Sequence, residues 1–284
     1  MGNTKSQSLN SAFMTNPVIK RLKNVATKEQ TSTCATYAGV ISKTVFFMIL
    51  TAVGIVLYYS LQQILSRSGA VIFTSDTEAV MDVSLTMQAG VVLAAAAVIV
   101  IVSAILSTFI PSIVPVTGTL YVLAEGYILA FISDALNEEY RWMSFTALML
   151  TIILVFTLLL LYCSNKIKIS QKFKTVICAV FITLIIGSAL TFILHFIPGL
   201  NNISQAVSTI MNNPVISIGM SVFFVIIACL FLISDFDTVH ELVSNQMPKK
   251  YEWSCAFGIA YTVLYLYLKI LQLLIEIFGK KSNS

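Results

Sequence analysis

Charged side chains are scarce in this sequence. Only 11% of its 284 residues are Asp, Glu, Lys or Arg and 57% are hydrophobic, whereas a soluble domain is about 25% charged. A water-facing surface cannot be assembled from that composition. The signatures of catalysis are missing as well: there is no HExxH, no GxSxG, no phosphate loop and no Cys/His cluster, so an enzyme is not expected. The two histidines, His195 and His240, fall on opposite sides of the membrane in the topology derived below. The five cysteines (Cys34, Cys163, Cys178, Cys229 and Cys255) are odd in number, scattered and never in a CxxC pair. They read as small packing residues rather than a disulfide framework or a metal site.

Long apolar runs are what is present. A bilayer core about 30 Å thick takes about 20 helical residues to cross. Runs that meet this lie near 44–61, 89–110, 113–133, 143–163, 175–197, 216–234 and 254–278. They lack the alternation of a barrel, and open strands in lipid leave backbone groups unsatisfied. The expected fold is therefore an all-α membrane bundle of seven transmembrane helices, with the second and third joined as a hairpin at Pro111 to Pro115. Residues 1–40 form a basic, mostly disordered soluble tail without a cleavable apolar stretch, 41–279 the membrane domain, and 280–284 a short C-terminal tail. With the N-terminus in the cytoplasm, 12 Lys and Arg lie inside and 4 outside, with Lys269 in the membrane. The net charge of +4 is thus an inner-leaflet signature, and no nucleic-acid partner is expected.

A charge in the hydrocarbon costs ~2.5–3.5 kcal/mol on insertion scales and marks a functional position by default. Glu125 in the third span, Lys269 and Glu276 in the seventh, and Asp235 at the inner end of the sixth qualify. Gly258, Thr262, Tyr265, Lys269, Gln272 and Glu276 are spaced by four, three, four, three and four, which places them on one helical stripe. A lipid-facing helix does not carry such a stripe, so the seventh span is expected among the others, its polar edge lining a cavity or an internal network. Lys269 is roughly 15–20 Å of helical rise from either interface, too deep to snorkel out. Glu125 has Gly118, Tyr121 and Gly126 near it, small enough in part for close helix approach; it reads as a proton carrier, an ion ligand or the partner of Lys269. Asp235 and Asp237 are two apart and point to nearly opposite sides of a helix, so they cannot jointly chelate an ion without ligands from elsewhere.

The segments Leu232-Ile-Ser-Asp235-Phe-Asp237-Thr, Tyr251-Glu-Trp253 and Leu264-Tyr-Leu-Tyr-Leu-Lys269-Ile-Leu resemble the closing helices of the Bax inhibitor-1-like family, most closely its bacterial YccA-type branch. Leu120-Tyr-Val-Leu-Ala-Glu125-Gly126, Ala130-Phe-Ile-Ser133 and Asn16-Pro17-Val18 add to the likeness. The resemblance implies a bundle whose last helix is surrounded by the other six. It also implies a pH-sensitive calcium leak channel, gated by an acid on the sixth span that shares protons with an acid on the seventh. Asp235 matches the first acid, and Lys269 stands where the second is expected, a departure from the pattern.

The expected function is therefore a cation leak or transporter using Asp235, Lys269, Glu125, Asp237, Tyr265, Gln272 and Glu276 as gate and pathway. It needs no cofactor beyond a transient calcium at Asp235. Its partners are the lipid bilayer, calcium ions or protons, and in one alternative another membrane protein, for which this chain acts as a non-conducting scaffold. A remoter alternative is a retinal protein with Lys269 as Schiff base; Tyr265 stands where those proteins carry an Asp. The expected location is the plasma membrane of a bacterium.

Overall fold

The computed structural model describes residues 34–65, 71–74, 84–136, 138–164 and 213–279, with isolated positions at 175, 176, 179, 180, 183 and 187. Most of the basic tail, the loop carrying Lys166 to Lys174, nearly all of the expected fifth span at 175–197, His195 and the last five residues lie outside the described residues.

Six described helices are long and apolar enough to cross a membrane. They are α1 (Tyr37–Leu65), α2 (Met87–Phe109), α3 (Val114–Ala135), α4 (Trp142–Cys163), α5 (Pro214–Ser244) and α6 (Tyr251–Phe278). They correspond to the first four, the sixth and the seventh of the expected spans. Between α1 and α2 lies a small antiparallel hairpin of β1 (Val71–Thr74) and β2 (Ser84–Thr86), which the hydropathy pattern did not foretell. Such a hairpin is far too short to span a membrane.

Local sequence explains the helix ends. α2 stops at Phe109, a 3-10 turn covers Pro111–Ile113, and α3 begins with Pro115 in its first turn. Proline fits there because the first N–H groups of a helix have no intrahelical acceptor. The expected hairpin is therefore present, and a 2.7 Å hydrogen bond between Ser107 and Thr117 ties its arms. α5 opens on the Asn213 side chain, which accepts from the Val215 N–H at 3.0 Å, with Pro214 at the first position. α5 then runs 31 residues, about 46 Å, well beyond a 30 Å hydrocarbon core. Asp235 is thus not at a helix end, as the sixth run's boundary suggested. The helix continues to Ser244 because nothing in Phe236 to Leu242 breaks it and Phe236, Val239 and Leu242 bury an apolar edge.

Contacts fix the directions. Phe47 of α1 meets Gly118 of α3 and Phe257 of α6, and Tyr58 late in α1 donates to Asp134 late in α3 at 2.8 Å. α1, α3 and α6 therefore run the same way. Ser144 early in α4 bonds Tyr267 late in α6 at 2.7 Å, and Tyr162 at the end of α4 reaches Asp237 of α5 at 3.1 Å. α4 and α5 thus both run against α6. α6 packs on α1, α3, α4 and α5, with Leu266 and Leu271 among its buried side chains. α1 crosses α3 closely, where Gly54 and Gly126 face each other: a Cβ on either would strike the other helix's backbone. In lipid, where apolar burial gives no preference for helix contact, such small-residue crossings supply close packing. α2 and α4 turn residues such as Ile101, Phe145 and Phe156 outward, an apolar surface suited to lipid.

Candidate functional site

Two carboxyl groups flank α6. On the α5 side, Asp235 accepts a 2.6 Å hydrogen bond from the Thr262 hydroxyl, and its other oxygen lies beside Gly258, one turn earlier. On the α3 side, Glu125 is only 7% exposed and borders a cavity of about 340 Å³. Tyr121, Tyr261 and Tyr265 line the same cavity, with apolar side chains of α2. Tyr261 and Thr262 are adjacent on α6, so one helix touches both acids at nearly one level.

Of the expected stripe, Gly258 and Thr262 meet Asp235 and Tyr265 meets the Glu125 cavity. Lys269 donates to Gln272 at 2.9 Å, Gln272 donates to Glu276 at 3.0 Å, and the ammonium lies 4.7 Å from the centre of the Phe224 ring. The stripe is therefore split rather than continuous, and Gln272 is exposed. α6 is contacted on several sides, so both its polar and its leucine-rich faces find partners. The structure brings Lys269 neither to Asp235 nor to Glu125. Thr262 and Lys269 are seven residues apart, about 10 Å of rise, so the same helix cannot offer both to Asp235. Asp237 turns to Tyr162 of α4 while Asp235 turns to α6, the opposed directions their spacing requires.

One group of residues was missed. At the start of α1, Lys43 forms an ion pair with Glu252 in the first turn of α6. Glu252 is fully buried and also accepts from the Thr36 N–H at 2.9 Å. Thr36 caps α1 by accepting from the Gly39 N–H at 3.0 Å. Gly39 leaves space for this acid, since a Cβ there would displace the Glu252 carboxylate. Beside it, Tyr37 bonds His240 at 2.7 Å, and the Ala35 N–H donates to the Met247 carbonyl at 2.8 Å. In the sequence Lys43 counts only among the 12 basic residues that set the topology. The available signal was that Lys43 is the one charged residue of α1 and Glu252 opens α6, two helices that begin on the same face.

Among the described residues, no three His, Cys, Asp or Glu side chains come close enough to hold a metal ion. The sequence model of a family described as Bax inhibitor 1 like matches residues 16–279. The chain belongs to that family. Neither a characterised protein nor a solved structure matches it. As a Bax inhibitor 1-like protein it is a multi-pass membrane protein, and its working environment is a lipid bilayer. The family match spans α1 to α6 and includes Glu125, Asp235 and Lys269.

Proposed function

We propose that this Bax inhibitor 1-like protein is a pH-sensitive cation leak pathway, with calcium as the conducted ion, in which the contact between Asp235 and Thr262 is the latch. The observation that carries the reading is that contact itself: an acid of α5 held by a hydroxyl of α6, beside a glycine, in a helix that also borders the Glu125 cavity. An ionised Asp235 accepts a charge-assisted bond, and protonation weakens it while adding a donor. A proton thereby changes how firmly α5 is tied to α6. Glu125 and Tyr265 lie along the pathway. Lys269, Gln272 and Glu276 form a separate polar run toward the far end of α6, and Asp237 anchors α5 to α4. Calcium visits Asp235 in passage. The reaction is transport, without chemistry.

The bundle has seven crossings with α6 enclosed by the rest. The directions of α4 and α5 support this reading: both run against α6, so α4 ends on the face opposite the one where α5 begins. Lys43, Lys249 and Lys250 lie at the face where α1 and α6 begin, and Arg141 at the other, which supports a cytoplasmic N-terminus. A bacterial plasma membrane is the proposed location. A second reading, a non-conducting scaffold for another membrane protein, is favoured by Lys269, a cation at the position of the second expected acid.

The test is calcium entry into liposomes holding an internal dye, from pH 5 to 8. Wild type should admit calcium with a pH midpoint, and Asp235→Asn, which cannot titrate, should flatten that dependence. Wild-type liposomes no leakier than empty ones would remove the channel reading in favour of the scaffold.

A further inference from the structure

The Glu125 cavity contains a buried acid with nothing to bond. Among the described residues no donor reaches its carboxyl, although the side chain is 93% buried by its 7% exposure. An ionised carboxyl in that position is costly alone, and a cation in the cavity offsets the cost. The walls indicate which cation. Three tyrosine rings and aliphatic side chains of α2 and α6 surround a single carboxyl. Calcium takes six to eight oxygen ligands, more than one carboxyl and three phenols supply in a wall otherwise of hydrocarbon. An ammonium carrying an apolar group fits this inventory: it needs one negative charge, it is attracted to the faces of aromatic rings, and its hydrocarbon part suits the rest. A cavity of about 340 Å³ falls at the small end of ligand pockets, which run from about 300 Å³ upward. Its mouth is also informative. Ile101 and Ile105 line it yet are 59% and 52% exposed, so it opens on the outer surface between α2 and α6, at membrane level. A ligand partitioned into the bilayer reaches it sideways.

We propose that the cavity between α2, α3 and α6 is a binding site for a lipophilic organic ammonium ion, with Glu125 as its counter-ion and Tyr121, Tyr261 and Tyr265 as its aromatic wall. The site shares Glu125 and Tyr265 with the proposed pathway, but binding is expected whether or not the protein conducts.

Phenethylamine, an ammonium at neutral pH, is the probe, with phenethyl alcohol as its uncharged counterpart. Binding is measured by calorimetry on the full chain in nanodiscs. The amine should bind wild type saturably and at least about ten-fold more tightly than the alcohol, the worth of one charge-assisted hydrogen bond. Glu125→Gln should abolish that preference while leaving the alcohol's weak binding unchanged, which also reports that the cavity is intact. Should Glu125→Gln not fold, Tyr265→Phe and Tyr265→Ala serve instead: the first keeps the ring and the affinity, the second loses about ten-fold. Equal binding of amine and alcohol, amine binding undiminished in Glu125→Gln, no saturable binding, or displacement of the amine by calcium alone would each overturn the proposal.

Discussion

Glu252 illustrates how much one side chain can matter in a protein with so few charges. It is fully buried, paired with Lys43 and bonded to the Thr36 N–H. Removing one member leaves the other buried and uncompensated, which costs ~3–5 kcal/mol. Lys43→Met and Glu252→Gln should each destabilise the protein by that order in unfolding titrations. The double variant should recover part of the loss; strictly additive losses would mean that the pair is not coupled. Gly126 is limiting for a different reason. A Cβ there strikes the α1 backbone at Thr51, and backbone cannot yield as a side-chain tip can. Gly126→Ala should cost ~1–3 kcal/mol by overpacking, whereas Gly90→Ala, with open space around it, should be neutral within experimental error. A Gly126→Ala variant as stable as wild type would contradict the tight α1–α3 crossing.

At the scale of elements, the sequence made the described helices legible because each is a long apolar run, and the α2–α3 hairpin legible because two prolines mark it. The polar stripe of α6 divides between two separate networks, a division its spacing does not show. Spacing gives the angle of a residue around a helix and says nothing about which neighbour stands at that angle. The same limit hid Lys43 and Glu252, whose partnership depends on helices more than two hundred residues apart lying side by side. Depth was legible along α6, where helical rise separates Lys269 from Thr262, and not for Asp235, which the apolar run placed at a helix end. Helix direction yields a further prediction. Cys34 precedes α1 and Cys163 ends α4, and both are exposed and lie at the same face, while Arg141 lies at the opposite one. In single-cysteine variants a membrane-impermeant maleimide should label Cys34 and Cys163 from one side only, and Arg141→Cys from the other. Labelling of Cys34 and Cys163 from opposite sides would break the assigned directions.

For the whole molecule, the polar contacts of α6 fall at three levels along the helix. Its first turn is locked to α1 by Glu252, its middle lies between Asp235 and Glu125, and its far end carries the Lys269–Gln272–Glu276 run. An anchored start and a titratable middle suit a helix that moves against its neighbours at one level only. If Asp235 and Thr262 form the latch, joining them covalently has to stop conduction. The most direct measurement is therefore calcium entry into liposomes bearing the Asp235→Cys/Thr262→Cys double variant, before oxidation, after oxidation and after reduction. The leak should be present with the thiols free, fall to the level of empty liposomes on oxidation, and return with reductant. A leak that continues unchanged through a completed cross-link would contradict the latch and, with it, the gating role assigned to this contact.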